Sequence, residues 1–255
     1  MTLDWSSLDA ELAMWTEQGL TLPVWWRDDD AVAPTAALGR LTALSDQTGL
    51  NVHLAIIPSG ATPALVAAVR ANPTLIPVVH GWAHRNHAPL GEKKAEFGAH
   101  RPTAAALEDA RAGLERLTSL FGDSLRQMFV PPWNRIAPEV VIGLPALGYT
   151  AMSTFTPRKA AMAAPGLACI NTHLDPIDWK GSRSLVAPDR LIAQIAGQLA
   201  DRREGRADNA EPYGLLTHHL AHDDAIWEFM AALVTRLMAG PVRPWIAATK
   251  KDLTL

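Results

Sequence analysis

Two groups of side chains stand out as able to do chemistry: the histidine pair in His80-Gly81-Trp82-Ala83-His84 and the run Asp28-Asp29-Asp30. On a helical turn, a spacing of four residues puts both imidazoles on one side, within reach of a single ion. A carboxylate from Asp29 or Asp30 would complete a two-His, one-carboxylate set that leaves positions open for water and substrate. Adjacent carboxylates repel, and one takes a raised pKa unless a cation compensates. A metal accounts for the crowding and frees a second carboxylate to act as general base. His218-His219 follows Gly214-Leu215-Leu216-Thr217, and an imidazole there is placed to protonate a leaving amine. His53, His87, His100 and His222 read as packing or surface residues.

These residues need a scaffold that brings them together. Short apolar runs at 22–27, 51–57, 75–80, 127–130, 149–155, 167–172, 213–218 and 244–248 predict strands. Amphipathic stretches at 35–47, 102–121, 188–203 and 223–239 predict helices, the last with Ile226, Phe229, Met230, Leu233, Val234 and Leu237 at helical spacing. Strands alternating with helices predict a parallel α/β sheet. About seven or eight such units can close into a barrel, with an open doubly wound sheet as the rival. In either case the ends of parallel strands share one face. The Asp run, the His pair, Pro131-Pro132-Trp133-Asn134, the segment with His173, Asp175 and Asp178, and His218 each follow a predicted strand and converge there. No Gly-rich phosphate loop follows the first strand, where three carboxylates would repel a pyrophosphate.

Composition narrows the function classes. The chain has 255 residues, 48% hydrophobic and 19% charged, as in an ordinary globular protein. We expect a single catalytic domain over 1–255, with an N-terminal helical extension of about 20 residues. Cys169 is the sole cysteine, so no disulfide forms within the chain. A net charge of −3 without a basic run argues against nucleic acid. The N-terminal residues lack the pattern of a signal peptide, and no apolar run approaches the roughly 20 residues that span a bilayer. The expectation is a cytoplasmic protein without a membrane partner. The nine Trp outnumber Phe and Tyr together. Trp82, Trp133 and Trp179 fall in the site segments, where indole faces suit sugar rings as well as ordinary packing.

Five segments in order resemble the motifs of the polysaccharide deacetylase (NodB-homology) family: Arg27-Asp28-Asp29-Asp30-Ala31, His80-Gly-Trp-Ala-His84, Val130-Pro131-Pro132-Trp133, Asp175-Pro-Ile-Asp178-Trp179 and Leu216-Thr217-His218. The resemblance implies a distorted (β/α) barrel of about seven strands and one divalent metal ion, zinc first. It implies Asp30, His80 and His84 as metal ligands, Asp29 as the base and His218 as the acid. Pro132, Trp133 and Trp179 would line the substrate site, and the backbone N–H near Trp133 would join the metal in stabilising an oxyanion. A register shifted by one residue would instead make Asp28 the base and Asp29 the ligand. Two positions depart from the family pattern. Val130 stands where the third motif begins with Arg, which steadies the base, and Ala31 replaces a Gly. Arg27 or Arg135 could supply the missing cation. The expected reaction is hydrolysis of a carbon–nitrogen amide bond, removing an acetyl group from a small-molecule or glycan substrate. The alternatives are a silent glycan-binding relative and a non-haem iron enzyme using the same ligand set.

Overall fold

A computed structural model describes residues 3–249 and 252. The first half runs α1 (Ser6–Glu17), β1 (Leu22–Ala31), α2 (Ala36–Thr48), β2 (Val52–Ile56), α3 (Pro63–Ala71), β3 (Leu75–His80) and α4 (Thr103–Phe121). The second half continues with β4 (Met128–Val130), α5 (Pro138–Gly143), β5 (Ala151–Met152), β6 (Met162–Ala164) and β7 (Leu167–Cys169). It ends with α6 (Pro188–Arg203), β8 (Tyr213–Thr217), α7 (Asp224–Ala239) and β9 (Val242–Pro244).

Three of the helices, α2, α3 and α7, start at side-chain caps. The side chains of Thr35, Thr62 and Asp223 accept the backbone N–H groups of Leu38, Leu65 and Ile226, which otherwise lack intrahelical partners. The four amphipathic stretches of the sequence are α2, α4, α6 and α7, and the N-terminal extension contains α1.

The strands run in the order β6-β7-β5-β4-β3-β2-β1-β8, with β9 joining the start of β1. All pairs are parallel except β6 with β7. The named strands do not close the circle. Between β7 and β8 the gap is spanned by the bridge Leu174–Leu215, with hydrogen bonds from His173 and Leu174 N–H to the Gly214 carbonyl and from Leu216 N–H to the Leu174 carbonyl. Gly214 permits this approach, because a Cβ there would lie 2.6 Å from the Asn171 carbonyl and 2.4 Å from the Trp25 indole nitrogen.

Two cores lie on either side of this curved sheet. The larger, outside, packs β1 residues Val24 and Trp26 with helical residues such as Leu41, Leu114, Ile195 and Phe229. The smaller, inside, contains Trp25, Ala55, Val78, Met128, Val130 and Ile170. An enclosed inner core distinguishes a distorted barrel from an open doubly wound sheet, which carries helices on both faces. The strand expected over 244–248 is displaced to β9, and β6 is additional to the expected set. Among the described residues no helix is long and apolar enough to cross a membrane.

Candidate metal centre

The three aspartates lie within β1 rather than after it. Alternation along a strand places Trp25, Arg27 and Asp29 on the inner face and Trp26 and Asp28 on the outer. A bulge then intervenes: Asp28 is opposite Leu54 and Ala31 opposite Ile56, so β1 has one residue more than β2 over this stretch. Asp30 sits in the bulge at φ 77°, a left-handed conformation that costs a non-glycine residue energy. The bulge brings its carboxylate to the same end of the barrel as that of Asp29.

His80 closes β3, and its Nε2 lies 3.0 Å from Asp30 Oδ1; His84 Nε2 lies 3.2 Å from the same oxygen. The ligand atoms of Asp30, His80 and His84 all lie within 4.8 Å of one another. The expected helical turn between the histidines is absent. Residues 81–84 form a loop in which Gly81 (φ 54°) and His84 (φ 53°) are left-handed. His80 Nδ1 donates to the Val130 carbonyl at 3.0 Å, a partner that fixes the ring and turns Nε2 toward Asp30. Burial opposes charge on Asp30, but the His80 hydrogen bond and the surrounding imidazoles outweigh it and hold the carboxyl below its usual range. Burial pushes the pKa of His84 down, favouring the neutral form that ligation requires. For His80 burial acts in the same direction, but Asp29 and Asp30 overcome it and raise the pKa. These donors fit a divalent ion: one carboxylate, two imidazoles and a fixed tautomer.

The loop holding His84 is organised by Glu96, a residue the sequence reading missed. Its buried carboxylate accepts the backbone N–H groups of Trp82, Ala83, His84 and Arg85 at 2.9–3.2 Å. Gly81 is required beside it, since a Cβ there would stand 2.4 Å from Glu96 Oε2. Pro132 is buried and packs against Gly81.

Asp29 is gripped by Arg27. Nε donates to Oδ1 at 2.9 Å and Nη2 to Oδ2 at 3.0 Å, a bidentate fork between two fully or nearly fully buried residues. The guanidinium also donates to Ser153 Oγ, the Thr154 carbonyl and Asn134 Oδ1, which hold it across the barrel. Arg27 thus provides the cation beside Asp29 that Val130 cannot. Arg135 donates instead to the Lys94 carbonyl. Asp28 faces away from this cluster and accepts hydrogen bonds from Thr217 Oγ1, the His219 N–H and the His219 ring. That pairing of Asp28 opposes the shifted register.

His218 Nε2 lies 3.9 Å from Asp29 Oδ2. Trp179 meets the His218 ring edge-on with centroids 4.8 Å apart, and its indole N–H donates to Asp175 Oδ2. On the other side Trp133 lies 4.2 Å from the His84 ring, in a tight turn where Trp133 and Asn134 both have φ 56°. His173 does not join the site: it is buried against Glu211, with Nδ1 accepting the Gly214 N–H. Asp178 accepts the N–H groups of Gly181 and Ser182, and Trp82 packs against the outer core.

No family model and no curated protein matches the chain. Solved structures do match. A Mycobacterium smegmatis structure assigned to the polysaccharide deacetylases has a TM-score of 0.60 at 14% identity, covering 91% of this chain and 88% of that one. A peptidoglycan N-acetylglucosamine deacetylase has a TM-score of 0.56 at 16% identity, covering 91% and 92%. A CE4 family pseudoenzyme from Bacillus anthracis has a TM-score of 0.52 at 12% identity, covering 88% and 64%. The chain therefore has the NodB-like fold of the polysaccharide deacetylases.

Proposed function

We propose that this chain hydrolyses an N-acyl amide, first of all an acetyl group on an amino sugar or glycan, using one divalent ion held by Asp30, His80 and His84. Zinc is the first candidate for that ion. The observation that carries the reading is the convergence at one end of the barrel of a three-ligand set, a carboxylate braced by Arg27 and an imidazole 3.9 Å from that carboxylate. When bound, the ion supplies Lewis acidity, making water acidic near neutral pH and stabilising charge that develops on the acyl oxygen.

The remaining work belongs to side chains. Asp29 accepts the proton of the attacking water, and the Arg27 fork keeps its oxygens aimed at that water. His218 holds a proton at Nε2 and delivers it to the departing nitrogen. Trp133 and Trp179 wall the approach on the His84 and His218 sides. The deacetylase named among the structural neighbours acts on N-acetylglucosamine, which agrees with an N-acetyl substrate.

A silent glycan binder is the second reading, favoured by the pseudoenzyme among the neighbours and by Val130. Arg27 weighs against it by restoring a cation to the base. Elemental analysis before and after chelation, paired with acetate release from a panel of N-acetylated sugars, separates the two. About one ion per chain with chelator-sensitive release is the expected result. Bound ion without release of any acyl group selects the silent binder, and failure to bind an ion after reloading overturns both the metal site and the mechanism.

A further inference from the structure

Most surface arginines here have partners: Arg40 and Arg158 pair with carboxylates, while Arg70 and Arg116 donate to backbone carbonyls. Arg85, Lys93, Lys94, Lys180 and Arg183 are exposed, and none makes a side-chain hydrogen bond or ion pair among the described residues. All five fall in the two loops, 81–101 and 175–187, that carry His84 and Trp179. Lys94 Nζ lies 6.0 Å from the centre of the Trp133 ring, the ring that touches His84. The Arg183 guanidinium lies 5.3 Å from the centre of the Trp179 ring, the ring that touches His218. One cation therefore stands a single ring away from each side of the site.

None of the acids of these loops pairs directly with these cations. Glu96 is consumed by four backbone amides, Asp178 by two, and Asp175 by the Ile177 amide and the Trp179 indole. Glu92 is the remaining carboxylate and lies 3.6 Å from His100. Lys94 and Arg183 are thus free of direct ion pairs where they flank the site, and cations so placed attract and select anions.

We propose that the site takes an N-acyl substrate bearing an anionic group, a carboxylate or a phosphate, with Lys94 and Arg183 as the residues that recognise it. The proposal rests on the hydrolase reading above for the chemistry, but its recognition step can be measured alone. The test compares N-acetylglucosamine with N-acetylglucosamine 1-phosphate and with N-acetylmuramic acid, the last two separating phosphate from carboxylate. Turnover is measured on the metal-loaded full chain. Binding is measured by calorimetry on the Asp29→Asn variant, so that hydrolysis does not consume the ligand.

At least one anionic sugar is expected to be preferred by about tenfold, through KM rather than kcat, with the preference shrinking as salt is raised. The double variant Lys94→Gln, Arg183→Gln should lose that preference while retaining the wild-type kcat on the neutral sugar. Equal affinity for neutral and anionic sugars, or a preference unchanged in the double variant, overturns the proposal. Neutral sugars hydrolysed without any anionic preference sink the proposal and leave the hydrolase reading standing. Salt-sensitive anionic binding without hydrolysis, abolished in the double variant, sinks the hydrolase reading and leaves the recognition.

Discussion

Replacing Arg27 with Met removes the cation while roughly keeping the volume of the side chain. The variant strips both fork contacts from Asp29 and also the contacts to Ser153, Thr154 and Asn134. Asp29 is only 2% exposed, so water cannot take over those bonds without opening the barrel mouth. Breaking one side of a buried ion pair costs about 3–5 kcal/mol, because the surviving charge is left unpaired. For a domain of this size that corresponds to a fall in Tm of about 6–20 °C. The measurement belongs in metal-free protein, by calorimetry or urea unfolding, since a bound ion would add its own stabilisation. Adding Asp29→Asn to Arg27→Met should recover part of the loss, on the order of 1–3 kcal/mol, because the stranded charge disappears. Arg27→Lys keeps the charge but not the planar fork, and should lower kcat while metal content stays at wild type. If Arg27→Met unfolds within about 1 kcal/mol of wild type and retains full turnover, then Arg27 does not brace the base.

Four further substitutions probe other parts of the molecule. Glu96→Ala should weaken metal affinity about 10–100-fold in a competition titration by releasing the 82–85 amides, and unchanged affinity would show that the loop holds His84 without it. Asp29→Asn should leave metal bound whereas Asp30→Asn should lose it, and the reverse pattern would establish the shifted register. His53 is buried between the Trp26 carbonyl and the Ala247 N–H, and burial holds its pKa down to about 3 from 6.5. Between those values the unfolded chain binds a proton that the fold refuses, so stability falls on acidification from about pH 6.5 toward 3. His53→Gln should flatten the stability–pH slope by up to about 1.4 kcal/mol per pH unit, and an unchanged slope would mean that the ring protonates in place.

The helices were legible because each long amphipathic stretch carries its own boundary signals, such as Thr35 and Asp223 at the caps. The metal-competent residues were legible because few other arrangements put three carboxylates and spaced imidazoles at strand ends. The bulge was not: Asp28-Asp29-Asp30 reads the same with or without an extra residue, and pairing with β2 decides which face each carboxylate takes. Arg27 was visible as a candidate, since a charged residue two positions from Asp29 on one strand shares its face. Glu96 lies twelve residues beyond His84, and its only sequence signal was an acid set between Ala95 and Phe97, both buried. The short β5, β6 and β7 carry too few residues for periodicity to fix their ends.

The join between β7 and β8 makes the mouth mechanically uneven. Asp29, Asp30, His80 and His218 lie on or beside the continuous ladder β8-β1-β2-β3. Trp179 and Arg183 hang from the segment beyond the join, where Leu174–Leu215 is an isolated bridge. The join is therefore the place where the ring of strands is held by the fewest backbone pairs, while Asp29, Asp30, His80 and His218 stand on or beside its longest ladder. Amide hydrogen exchange should find the Leu174 and Leu216 amides less protected than those of 24–28 and 52–56.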